Sequence, residues 1–317
     1  MVRGKKKLAA FMLAVILWTG APAYGWDSEG HMTVAYVAYQ RLEPATRQRV
    51  NSLLKLNPYY AKWKAAIPSG TAAADADVMI FMLAATWPDE IKSDADYQDD
   101  GPRGGDRPDG PSSSQNIGYS DHLRHKYWHF VDTPFSQDGT ALPSLPTPNA
   151  ETQIAAFRAV LASDQPDALK SYDLVWLLHL VGDVHQPLHC TTRVSHSEPN
   201  GDAGGNLVML CSAPCKDELH AFWDDLIGTE TTPSAAIVAG GKLPAPDPTL
   251  ASNKDVVVWV HESFSEAQEQ VYVKPIGPGT GPFTLTPTYR AAATALAGQR
   301  IALAGARLAN VLNSELK

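Results

Sequence analysis

Apolar side chains recur at helical spacing along almost the whole of this 317-residue chain. Val34, Val37, Ala38 and Leu42 form one stripe, Val78, Phe81, Met82 and Ala85 a second, and Ile154, Phe157 and Leu161 a third. Leu174 to Leu180 and Ala291 to Leu312 add two more. Steps of three and four residues put such side chains on one face of an α-helix, so each stripe must be buried against another helix. One segment, Asn206 to Cys211, carries a strand pattern instead, and Gly204, Gly205 and Pro214 punctuate it as a small hairpin. Neither an internal repeat nor a clean linker divides the chain. The expected fold is therefore mainly α, a single-domain helical bundle with a small β-hairpin. Three stretches, 94–121, 242–248 and 275–287, read as loops, and the first is rich in Asp, Gly, Pro and Ser.

The first 25 residues stand apart from that pattern. Arg3, Lys5, Lys6 and Lys7 precede an apolar run, Leu8 to Leu17, that ends in small residues, which is the layout of a signal peptide. Cleavage after Ala23 or after Gly25 fits the small-x-small rule, and Pro22 inside the first makes the second preferable. Trp26 would then be the amino terminus of a 26–317 domain, secreted or periplasmic. No later stretch reaches the ~18 to 20 apolar residues of a membrane helix. Nothing implies a membrane or a stable protein partner, and a monomer is expected. Losing four basic residues moves the formal charge from −8 to −12, so a general basic surface for polyanions is excluded and any attraction to phosphate must be local. In an oxidising compartment two of the three cysteines, Cys190, Cys211 and Cys215, can pair. Cys211 and Cys215 flank a short turn and are favoured; Cys190 with Cys211 stays open. The chain contains no Asn-x-Ser/Thr acceptor.

Histidine and carboxylate dominate the candidate chemistry. His179 and Asp183 lie i,i+4 on one predicted helical face, where imidazole and carboxylate can share a cation. His189 follows Pro187, which should end that helix and turn a further imidazole to the same side. His220 and Asp224 repeat the i,i+4 pair. Each pair alone is as easily a helix-surface contact; two pairs with His189 point to a metal centre. Tyr127-Trp128-His129-Phe130-Val131-Asp132 sets a histidine among aromatics, and Trp87-Pro88-Asp89 offers an acid at the close of a helix. Cleavage before Trp26 would free an α-amine beside its own carbonyl, five residues from His31, and the three groups can chelate one ion.

These segments resemble the zinc-dependent S1/P1 nuclease family, which is similar in turn to bacterial zinc phospholipases C. The likeness runs from Trp26 and His31 through Trp87-Pro88-Asp89, His129 to Asp132, His179 to His189 and Gly204-Gly205-Asn206 to His220 and Asp224. It implies three zinc ions. One would be held by Asp89, His129, His179 and Asp183, a second by His189, His220 and Asp224, and a third by Trp26, His31 and Asp183, with Asp183 bridging. It also implies a secreted endonuclease that uses zinc-activated hydroxide to cut single-stranded RNA and DNA to 5′-phosphate products, with 3′-nucleotidase activity. Six positive charges from three zinc ions would give an acidic protein an electropositive pocket. Phe130 and Asp132 match the family's base-binding positions, and Asn206 and Lys92 stand near the phosphate, Lys92 among the catalytic residues with Asp89 and Asp183. The family more familiarly has arginine where Lys92 stands, which keeps the charge and loses the bidentate fork.

His122, His125, His185, His196 and His261 match no ligand position of the family; His185, between two ligands, is a candidate to orient one of them. The forty-residue spacing from Asp89 to His129 is longer than the family pattern, and the excess is the 94–121 loop. Two other readings share the same residues. A phospholipase C-like phosphodiesterase could use the same metals, but Phe130 and Asp132 speak against it. A noncatalytic zinc protein would be expected to have closed sites, commonly with cysteine, whereas these ligands leave positions for water.

Overall fold

The structure, a computed structural model, describes residues 26–316 except 102–106, 109, 213, 215 and 216. The expected leader and Cys215 lie outside the described residues.

The Asp27 carboxylate accepts from the Ser28 amide and starts α1 (Ser28–Arg41). It is followed by α2 (Pro44–Leu54), α3 (Tyr60–Ala66), α4 (Ala73–Ala84) and the single turn α5 (Trp87–Glu90). Then come α6 (Ala150–Leu161), α7 (Asp167–Asp183), α8 (Leu219–Asp224), α9 (Pro233–Gly240), α10 (Pro248–Ser252), α11 (Val256–Glu266) and α12 (Pro287–Glu315). Proline at the first helical position opens α2, α9, α10 and α12, where its missing N–H is no loss. Asn149 and Thr152 cap α6 reciprocally, each side chain accepting from the other's backbone amide.

The middle of the bundle is α7, buried on every side from Lys170 to Asp183. An α-helix with no wet face has to be a central one. It touches α1, α2, α5, α6 and α12, while α1 lies against α12, α9 and α4. Beside α7 the aromatic rings interlock: Trp87 meets Tyr119, Tyr172 and Trp176 edge to face at 5.7 to 6.0 Å. No helix among the described residues is long and apolar enough to cross a membrane.

The strand expectation needs correction. Among the described residues the two strands are β1 (Pro134–Ser136) and β2 (Thr192–Val194), paired in parallel with Phe135 opposite Arg193. The expected hairpin from Asn206 shrinks to one antiparallel bridge, Met209 with Glu218. Turns win because the backbone from 202 to 208 is satisfied locally: Leu207 N–H donates to Asp202 C=O and Val208 N–H to Gly205 C=O. Cys190 is a free buried thiol, so the Cys190–Cys211 alternative is not formed.

Candidate active site

Five structural pieces converge at the carboxyl end of α7. His31 comes from α1, Asp89 from α5, His129 from the end of a 3₁₀ turn (Lys126–Trp128), and His179 and Asp183 from α7 itself. The helix ends at Asp183, and Pro187 opens a 3₁₀ turn that carries His189. The last pair, His220 and Asp224, stands on α8. Three groups form: His31 with His179 and Asp183; Asp89 with His129 and His179; His189 with His220 and Asp224. Within each, potential ligand atoms lie within 4.8 Å of one another.

The distances are short enough for the groups to share a cation. His179 Nε2 lies 2.9 Å from His129 Nδ1, 3.2 Å from Asp183 Oδ2 and 3.6 Å from Asp89 Oδ1. His31 Nε2 is 3.3 Å from Asp183 Oδ1, and His189 Nε2 is 3.1 Å from His220 Nε2. Atoms ~2.0 to 2.1 Å from a tetrahedral zinc are about 3.4 Å apart. Three rings are fixed by backbone carbonyls: His179 Nδ1–H donates to Ala85 C=O, His189 Nδ1–H to His129 C=O, and His220 Nδ1–H to Gly204 C=O, at 2.7 to 2.8 Å. Each therefore turns an Nε2 lone pair into the cluster, the usual arrangement behind a ligating imidazole. Both ring nitrogens of His31, His129 Nε2 and Asp183 Oδ1 are buried without a hydrogen bond. Such orphans are costly in a folded core and mark atoms with another use. The donor set, nitrogen and oxygen without sulfur, suits zinc in an open site.

Electrostatics bind the groups into one unit. Burial pushes the Asp183 carboxyl up, but His179 and His189 overcome it and hold the group well below the usual carboxylate range. Asp89 is likewise lowered: burial opposes, and Lys92 with three histidines prevails. Burial takes His129 down to about 3, Lys92 adding to the effect, so the ring is neutral and its lone pair available. Asp224 is raised well above the ordinary value by burial, with Gln186 pulling the other way through a 2.7 Å bond from its side-chain amide.

Close approach shapes the backbone here. A Cβ at Gly182 would stand 3.0 Å from His31 Nδ1, so glycine leaves the imidazole its place. Gly204 has φ +62°, and a Cβ there would meet the Leu188 carbonyl oxygen at 2.6 Å. The described chain starts between the two helix ends: Trp26 is fully buried with its indole N–H on Gly182 C=O at 3.0 Å, and Asp27 N–H donates to Asp224 C=O at 3.2 Å.

Beside the third group lies a small cavity of ≈ 90 Å³, lined by Phe130, Asp132, Asn206 and Gly204 together with His189 and His220. Burial raises Asp132 to about 6, while Arg107 draws it down. Asn206 donates from its side chain to Ala203 C=O. Lys92 is buried, its ammonium 2.6 Å from Asp89 Oδ1, so its charge sits on a cluster carboxylate.

The other histidines divide. His122, His196 and His261 are exposed. His185 is buried but does not orient a ligand: its Nδ1–H donates to Val181 C=O and its Nε2 accepts from Arg307. His125 stacks on Trp128 at 3.5 Å and is clamped between Asp100 at 2.5 Å and Asp121 at 2.9 Å. Those carboxylates raise it although burial works against them. Two residues escaped the sequence reading. Gln186 ties Asp224 to the 187–190 turn, its Oε1 accepting from Leu188 N–H. Asp202, buried, accepts from Arg193 and Gly205 amides and from Tyr272 O–H, and so holds the turn whose Gly204 carbonyl orients His220. The one available signal was the position of Gln186 between Asp183 and His189.

Comparison with known proteins bears on what this cluster serves. The family described as S1/P1 Nuclease matches residues 26–317. Among curated relatives, Endonuclease 2 of Arabidopsis thaliana is 24% identical over 70% of this chain and 64% of its own length. Endonuclease 4 of the same plant is 28% identical over 64% of this chain and 55% of its length. Nuclease S1 of Aspergillus oryzae is 25% identical over 63% and 54%. The chain thus matches less than two thirds of the length of each of these relatives. With a match across the whole described region and a cluster built from its His and Asp residues, the chain belongs to the S1/P1 nuclease family.

Proposed function

We propose that this chain is a secreted zinc endonuclease that hydrolyses single-stranded RNA and DNA to 5′-phosphate products, with 3′-nucleotidase activity. The observation that carries the reading is the juxtaposition of three buried His/Asp groups with the Phe130–Asp132 cavity, in a chain related to proteins named as endonucleases. Asp89, His129, His179 and Asp183 would hold one zinc, His189, His220 and Asp224 a second, and Trp26 and His31 a third with Asp183 shared. Bound there, zinc supplies Lewis acidity and lowers the pKa of a coordinated water to ~7.

The chain's own residues do the rest. Phe130 offers a ring face on which any base can stack, which favours unstacked single strands. Asp132, raised by burial to about 6, is ionised above that pH and can then accept from a base edge. Lys92, fixed by Asp89, keeps a positive charge at the cluster for the phosphate. Asn206 lines the cavity as a polar neighbour. We further assign residues 1–25 to a removed leader, pair Cys211 with Cys215, and take the working unit as a monomer. Processed protein should cleave single-stranded RNA and DNA, leave 5′-phosphate ends, lose activity on chelation and regain it with about three zinc per chain. Zinc-loaded protein inert on both polymers would refute the reading.

A further inference from the structure

A second, larger cavity of ≈ 810 Å³ opens between the 107–114 segment and the first turns of α6. Its polar lining is Arg107, Ser113, Ser114, Thr147, Thr152 and Gln153. It is within the size range of pockets that take whole small ligands. Gln153 is 1% exposed, and its Nε2 has no hydrogen-bond partner. An unpaired buried amide costs ~1 to 3 kcal/mol, so this donor calls for an acceptor. Arg107 is set at the wall by a 2.7 Å bond from Nε to Pro148 C=O, with its guanidinium 5.4 Å from the centre of the Tyr127 ring.

This cavity adjoins the base pocket. Ala150 N–H, the first of α6, donates to Phe130 C=O at 3.1 Å, and Arg107 acts electrostatically on Asp132. The far wall is stiff, because Tyr127 O–H and Trp128 Nε1–H both donate to the Ser113 carbonyl. Trp128 in turn precedes His129.

We propose that this cavity is a second subsite, in which Arg107 and Gln153 hold the phosphate and base of the nucleotide next to the one stacked on Phe130. The inference rests on the nuclease reading. A guanidinium grips a phosphate through two parallel N–H donors, and a side-chain amide suits a base acceptor. In a chain of formal charge −8, a placed arginine supplies the local attraction that the surface lacks. The subsite makes the enzyme prefer strands over mononucleotides.

Arg107→Ala and Gln153→Leu should raise KM for a single-stranded oligonucleotide about tenfold, with kcat within about twofold. KM for a 3′-mononucleotide should not move in Gln153→Leu, and should move far less than oligonucleotide KM in Arg107→Ala. Arg107→Ala should also flatten the salt dependence of oligonucleotide KM by about one phosphate contact, and Arg107→Lys should restore that slope. Binding of a labelled phosphorothioate oligonucleotide gives a readout without turnover. Equal KM changes on both substrates, or none, would overturn the subsite while leaving the nuclease reading intact. Arg107-dependent binding by wild-type protein that cleaves nothing would keep the subsite and remove the nuclease reading.

Discussion

Gly182 and Asp183 are adjacent residues with opposite duties: one makes room, the other makes contacts. Asp183 faces His31, His129 and His179 at 3.2 to 3.3 Å. We expect Asp183→Asn to lower kcat by at least 10³-fold, zinc analysis of the purified variant to fall short of wild type, and the Tm of the metal-free protein to change little. Near-normal turnover would contradict a bridging role. Gly182→Ala separates stability from function more sharply. Alanine gains up to ~1 kcal/mol of helix propensity, yet its Cβ would crowd His31 Nδ1 at 3.0 Å in a packed core. The expected outcome is an unchanged melting temperature of the metal-free protein with metal affinity lowered about tenfold, measured by competition with a chelator. His179 with Asp183 and His220 with Asp224 were legible because i,i+4 spacing states which side chains share a face, whereas Asp89 and His129 entered only through the family resemblance. Gln186 and Asp202 were not, since their partners at Asp224 and Tyr272 lie 38 and 70 residues away in sequence.

At the scale of elements, legibility followed length. The long stripes of α1, α4, α6, α7 and α12 announce themselves through repeated apolar steps. Strands of three residues carry no such repeat: β1 and β2 exist because distant segments meet, and local turn chemistry consumed the segment that looked most strand-like. A buried ionic knot ties α12 to the turn after α7. Arg307 donates to both Glu262 oxygens at 2.7 to 2.8 Å and to His185 Nε2 at 3.0 Å, while Arg300 Nε donates to His185 C=O. Removing one partner of a buried pair costs ~3 to 5 kcal/mol, and partial exposure of Glu262 favours the lower end. Arg307→Leu should therefore destabilise by about 3 kcal/mol in urea unfolding, and Arg307→Leu with Glu262→Leu should recover part of that loss. Additive losses would show that the pair is not coupled.

Across the whole molecule, stability should depend on metal and on pH. The His/Asp groups draw α1, α5, α7 and α8 together, and without a cation their facing lone pairs repel. A ligand at about 1,000 times its Kd stabilises by ~4 kcal/mol, so chelation should lower Tm by about 10 °C in a scanning experiment. Asp173 governs a second dependence. Burial lifts its carboxyl to about 8, against the pull of the Asn116 amide, so the folded state prefers it protonated. That stabilisation is complete below the unfolded value of ~3.9 and is lost as pH rises through about 8, at up to ~1.4 kcal/mol per unit. Asp173→Asn should flatten the decline of Tm between pH 5 and 8; an unchanged slope would exclude this group. The His125 clamp has a different reach. Its imidazole joins Asp100 to Asp121, the two shoulders of the long insertion, and rests on Trp128 beside the cluster. Doubling a loop already closed at its base costs only ~0.6 kcal/mol. Insertions between those shoulders are thus cheap in closure entropy provided that Ser113, Asn116 and Tyr119 keep their holds on Trp128, Asp173 and Trp87, so that descendants of one cluster can acquire new tastes without disturbing the core they inherit.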